Sequence, residues 1–109
     1  MKSELFHDLQ KMKSREVFPG FHGRFIHSEK MTFAYWEIKK GSALPEHFHL
    51  HEQVVNMLEG EFELSIAGDT RQLSPGMIAT IPPNAKHTGR AITDCKILDV
   101  FYPVREDYR

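Results

Sequence analysis

From Arg24 onward the chain is written in short runs of alternating or β-branched apolar residues, and no helical period lasts long enough to compete with them. The alternation is strictest in Glu61-Phe62-Glu63-Leu64-Ser65-Ile66. It sends Phe62, Leu64 and Ile66 to a core and leaves Glu61, Glu63 and Ser65 in water. Residues 32–38 are rich in aromatic and β-branched side chains and stop at Lys39-Lys40-Gly41. Runs at 54–58, 61–66 and 70–73, divided by Glu59-Gly60 and Ala67-Gly68-Asp69, predict a three-stranded meander. Ser74-Pro75-Gly76 turns the chain into a further strand at 77–81. In the last run Ile97, Asp99 and Phe101 share one side, yet Leu98, Val100 and Tyr102 on the other are also apolar. A strand apolar on both faces is covered on both, here by the N-terminal segment or by a second copy, so a homodimer is expected. Residues 3–12 read as a short helix with Ser3 as N-cap and Leu5, Phe6 and Leu9 on one side, or as an added edge strand. The fold class is all-β.

At 109 residues the chain has room for one domain, residues 1–109, with an N-terminal extension over 1–23. Its 14 basic and 15 acidic residues are spread along the length and leave a net charge of -1, too weak a field to recruit nucleic acid or an anionic membrane. Small molecules or another copy of the chain are the expected partners. No apolar stretch is long enough to span a bilayer, and Met1-Lys2-Ser3-Glu4 lacks the core of a secretion signal, so a cytoplasmic location is expected. Cys95, the single cysteine, excludes an intrachain disulfide and reads as a small buried side chain without chemistry.

Chemistry concentrates in His47-Phe48-His49-Leu50-His51-Glu52-Gln53 and in His87, which follows the rigid turn Pro82-Pro83-Asn84. Residues i and i+2 of a strand share a face about 6.7 Å apart, so His47 and His49 can enter one cavity. Two imidazoles there can hold a cation at roughly 2.1 Å. Residues 50–52 are short enough to be a reversal that returns Gln53 toward the same place, and His87 opens another strand. His51 reads as an exposed loop histidine, a rim contact or a spare ligand, while Glu52 competes with Gln53 as the oxygen donor. Asp99 points inward by parity with Ile97 and Phe101, either to move protons or to pair internally with Arg90 or Arg24. Tyr35, Trp36 and Met57 read as packing residues, with the Tyr35 hydroxyl within possible reach of the cavity. Arg105 is either a ligand anchor or a solvated tail charge.

The spacing resembles the cupin superfamily, small jelly-roll β-barrels that hold one divalent metal. Gly41, His47, His49, Gln53 and Gly60 fall on the first cupin motif, with Gln53 where an acid usually stands. Gly76, Pro82 and His87 fall on the second, with Asn84 in a glycine slot and Ala91 at the closing Asn position. The likeness covers residues 31–102 and implies a single-domain cupin barrel. The ending Asp99-Val100-Phe101-Tyr102-Pro103-Val104-Arg105-Glu106-Asp107 is similar to the D-V-F-x-P-x-R-E-D close of small pectin-degradation cupins, which open 4,5-unsaturated monouronates to linear keto-acids. That likeness implies a lyase or isomerase in which His47, His49, Gln53 and His87 bind Ni, Mn, Fe or Zn. Asp99 then transfers a proton, Arg105 anchors the substrate carboxylate and Phe101 shapes the pocket. Because the barrel hosts many activities, a cupin dioxygenase and a non-catalytic sugar- or metal-binding module stand as alternatives.

Overall fold

The computed structural model describes residues 5–109. Ten strands follow one another: β1 (Arg15–Phe18), β2 (Phe21–His27), β3 (Thr32–Ile38), β4 (Ala43–His47), β5 (Glu52–Glu59), β6 (Phe62–Ile66), β7 (Asp69–Leu73), β8 (Ile78–Ile81), β9 (His87–Ala91) and β10 (Cys95–Tyr102). Single 3₁₀ turns at Leu9–Lys11 and Glu106–Tyr108 flank them. The strands form a six-stranded sheet, β1-β2-β3-β10-β5-β8, packed against a four-stranded sheet, β4-β9-β6-β7, with antiparallel pairing throughout. This is a jelly-roll barrel. No helix among the described residues is long and apolar enough to cross a membrane.

Pairing register decides what faces the interior. Across the large sheet, Gln53 pairs with Ile81 and Phe101, and Phe101 pairs with Thr32, so these four side chains form one inward row. The next row carries Val55, Asp99 and Ala34, and a third Met57, Ile97 and Trp36. Phe62 and Leu64 answer from the small sheet, as their alternation requires, and all of these apolar residues are buried. Asp99 is therefore set into the barrel interior, between Val55 and Ala34, by the same parity that buries Ile97 and Phe101.

Three expectations change. The meander is interrupted: β6 and β7 form a hairpin through the Ala67-Gly68 turn, but β5 lies in the other sheet between β10 and β8. Gly60 makes the crossover, at φ +86° and so close to the Asp94 carbonyl and Thr93 hydroxyl that a side chain has no room. Alternation reports which face is buried but not which neighbour supplies the hydrogen bonds.

The strand succession also begins at Arg15 rather than Arg24, because β1 and β2 extend the large sheet at its edge. Finally, no helix forms over 5–8, where Leu5 and Phe6 are 79% and 88% exposed, and the proposed Ser3 cap lies outside the described residues. Asp8 caps the short turn instead, accepting the Gln10 N–H.

β10 is the central strand of the large sheet, between β3 and β5, which explains its two apolar faces. Its outer residues Leu98 and Val100 sit beside Tyr35, Phe33 and Val54 and are only half-buried. The N-terminal segment meets that face at one corner, where Arg24 donates to the Met12 carbonyl at 3.0 Å.

Candidate metal centre

β4 ends at His47 and β9 begins at His87, and the two residues pair across the small sheet. His49 lies two residues beyond the strand, in the bend that leads to β5, so the histidine pair is not the simple i, i+2 strand pair that its spacing predicts. The bend brings it back: one ligand nitrogen on each of His47, His49 and His87 lies within 4.8 Å of the others. These three histidines can hold a metal ion.

Each imidazole is oriented by its own backbone. Nδ1 of His47 meets the Pro45 carbonyl at 2.9 Å, Nδ1 of His49 the His51 carbonyl at 3.0 Å, and Nδ1 of His87 the Ala85 carbonyl at 2.9 Å. A carbonyl only accepts, so each Nδ1 carries the proton and each Nε2 is left with its lone pair. Burial, with Arg105 and His87 nearby, pulls His49 down to about 4, and burial also lowers His87. Both rings are neutral at pH 7, as metal ligation requires.

Gln53, on the first turn of β5 into the barrel, is buried and places Oε1 3.1 Å from His49 Nε2. With the His49 proton committed to Nδ1, the two atoms present lone pairs to each other, an arrangement that a cation shared between them satisfies. The donor set of three imidazoles and an amide oxygen thus fits a divalent transition metal. Asn84, in the slot where the motif has glycine, adopts φ +65°, the left-handed conformation that asparagine tolerates best after glycine. Its N–H donates to the His49 carbonyl at 2.8 Å and ties the two ligand-bearing loops together.

All seven residues singled out from the sequence line one cavity: His47, His49, Gln53, His87, Asp99, Phe101 and Arg105. Asp99 pairs with neither Arg24, which holds Glu37, nor Arg90, which lies beside Glu63. Its Oδ2 accepts the Trp36 indole N–H at 3.1 Å, while Oδ1 is buried without a hydrogen-bond partner among the described residues. Burial drives the Asp99 carboxyl up to about 7 against the pull of the nearby Gln53 amide, the Trp36 N–H and Arg105. An acid poised there can give or take a proton near neutrality.

Arg105 is no solvated tail charge. Its side chain is 12% exposed, its guanidinium lies 4.8 Å over the Phe101 ring and 4.2 Å over the Tyr108 ring, and Asp107 grips it at 2.9 and 2.7 Å. Tyr35 faces the outer side of the sheet and does not line the cavity, and Met57 is core. His51 is half-buried rather than exposed, its Nδ1 without a hydrogen-bond partner among the described residues, and it stands outside the three-histidine cluster.

Two contributors escaped the sequence reading. Trp36 is a packing residue that also supplies the Asp99 hydrogen bond. Tyr108, buried against Phe25, Trp36 and Phe101, closes one wall, its hydroxyl pushed up to about 12 by burial. An aromatic residue three positions after Arg105 was the available signal.

The family model described as Cupin domain matches residues 34–101. The chain belongs to the cupin family. No curated protein is similar enough in sequence to match this cupin. Among solved structures it resembles KdgF from Halomonas sp., with a TM-score of 0.92 and 25% identity over 98% of this chain and 100% of that one. It also resembles an RmlC-like cupin from Shewanella frigidimarina NCIMB 400, with a TM-score of 0.93 and 26% identity over 98% and 97% of the two chains. Ectoine synthase from P. lautus shares the fold, with a TM-score of 0.83 and 20% identity over 94% and 80%.

Proposed function

We propose that this cupin is a metal-dependent enzyme that opens the ring of a small sugar acid, most specifically a 4,5-unsaturated monouronate. The observation that carries the reading is one cavity lined by three converging histidine nitrogens, the Gln53 amide oxygen, Asp99 and Arg105. A divalent ion held by His47, His49, Gln53 and His87 would act as a Lewis acid on a sugar oxygen, retaining its full charge because no carboxylate joins the ligand set.

The chain's own residues suit the rest of the reaction. Ring opening is an isomerisation: the anomeric hydroxyl loses a proton, the bond from C1 to the ring oxygen breaks, and C4 takes up a proton as the enol becomes a ketone. One acid that accepts a proton and returns it is sufficient, and Asp99 offers a single unpartnered oxygen for both transfers. Arg105 matches a carboxylate with paired hydrogen bonds, and the Phe101 ring beneath its guanidinium walls the site. Gln53 in place of an acid disfavours the dioxygenase alternative where that chemistry draws a base from the motif position. The reading includes a second copy of the chain over the half-buried outer face of the large sheet.

The test follows the absorbance of an unsaturated monouronate as its double bond is lost. The expected outcome is turnover in the metal-loaded protein, abolished by chelation and by Asp99→Ala. Substrate binding without turnover would favour the non-catalytic module, and undiminished turnover in Asp99→Ala would remove that residue from the chemistry.

A further inference from the structure

Arg105 is held by two aromatic rings and, separately, by one edge of its guanidinium. Phe101 and Tyr108 lie beside the guanidinium from adjacent directions, their ring centroids 4.8 and 4.2 Å from its carbon and 5.9 Å from each other, which restrains its position but does not fix where its N–H groups point. That direction is set by Asp107, whose Oδ1 and Oδ2 accept from Nε and Nη2. Arg105 lines the cavity and Asp107 does not. Asp107 therefore takes the rear edge of the fork, and Nη1 with the outer hydrogen of Nη2 is left for something else.

The backbone beneath is fastened by a half-buried relay. The Arg105 N–H donates to Thr32 Oγ1 at 2.8 Å, the Thr32 hydroxyl meets His27 Nδ1 at 2.8 Å, and His27 Nε2 meets the Tyr108 carbonyl at 3.2 Å. Arg15 donates to the same carbonyl at 2.9 Å. Both ends of the 105–108 segment are thus anchored independently of the Asp107 side chain, which is 59% exposed and carries no packing of the barrel.

We propose that Asp107 is the positioning residue for Arg105: by clamping the rear edge it aims the terminal edge into the cavity and makes the site select a ligand carrying a planar carboxylate over its neutral counterpart. This rests on the sugar-acid reading above. A guanidinium that turns freely still carries its charge but loses the paired geometry that distinguishes a carboxylate from a hydroxyl.

The experiment titrates zinc-loaded protein with D-galacturonate and with D-galactose by calorimetry, in wild type, Asp107→Asn, Asp107→Glu and Arg105→Gln. The expected result is a wild-type preference for galacturonate that falls about tenfold in Asp107→Asn, the loss expected when hydrogen bonds to a charged group go slack. Galactose affinity stays constant, and Asp107→Glu recovers part of the preference. An unchanged preference in Asp107→Asn overturns the proposal, and a stronger one overturns it by making Asp107 a competitor for the fork. If Arg105→Gln abolishes the preference while Asp107→Asn keeps it, the sugar-acid reading stands and this inference alone falls. A wild type that binds neither sugar, or both equally, sinks the reading and the inference with it.

Discussion

Asp99 and His49 titrate in the same pH range and act on stability with opposite signs. His49 has its ordinary value of 6.5 in the unfolded chain and about 4 in the fold, so between those limits acid protonates the unfolded state first and stability falls as pH drops. Asp99 moves from 3.8 to about 7, so between those limits the fold binds the proton first and stability rises as pH drops. The Asp99 effect corresponds to about 4 kcal/mol at most above pH 7. In chelated protein the two oppose each other, and Asp99→Asn removes one. We expect Asp99→Asn to melt higher than wild type at pH 8 and to lose stability more steeply than wild type from pH 6.5 to 4. Thermal melts across that range check it, and parallel curves for the two proteins would count against it. Inward placement of Asp99 was readable from strand parity, since one residue in two must face the core. Its indole partner was not, because Trp36 and Asp99 meet across a strand pair 63 positions apart in sequence.

At the scale of strands, β9 delivers His87, and two residues further on Gly89 faces the interior against the Phe62 ring. A Cβ at Gly89 would collide with that ring, which is itself packed in the core at 5% exposure. Gly89→Ala is expected to cost about 1–3 kcal/mol, the range for an overfilled core. It is also expected to weaken metal binding through displacement of His87. Chemical denaturation and metal content of the purified variant measure both, and an unchanged denaturation midpoint would remove the steric claim. The strands from residue 32 onward were legible because alternation and turn residues are local. The partners of β5 were not, because crossing from one sheet to the other at Gly60 depends on β10, whose sequence lies some forty positions away. The edge strand β1 and the start of β2 were missed for a related reason: Gly23 and Arg24 break the apolar pattern just where β2 needs a small residue beside Trp36 and an ion-pair partner for Glu37.

Over the whole molecule, the large sheet has one face in the barrel and another that carries Ile26, Phe33, Tyr35, Val54, Leu98 and Val100 in adjoining rows. A half-buried apolar face of this kind is the usual ground for association. Wild type is expected to sediment as a dimer and Leu98→Glu, which places a charge in the middle of that face, as a monomer with an intact barrel. A monomeric wild type, or a Leu98→Glu dimer, would refute the placement of the second copy. The metal-ligand loops were legible as a group because the cupin spacing encodes them. The 105–108 segment was legible only at Arg105, since its relay through Thr32, His27 and Arg15 joins residues from opposite ends of the chain.

The hydrogen bond from Asn84 to the His49 carbonyl runs between the two loops that carry the imidazoles, and it involves backbone atoms alone. The link across the mouth of the barrel consequently does not depend on the imidazoles themselves. Exchanging the His49 imidazole removes a nitrogen from the cluster without untying the two loops, so what such a change does to ion uptake can be read apart from what it does to the rim.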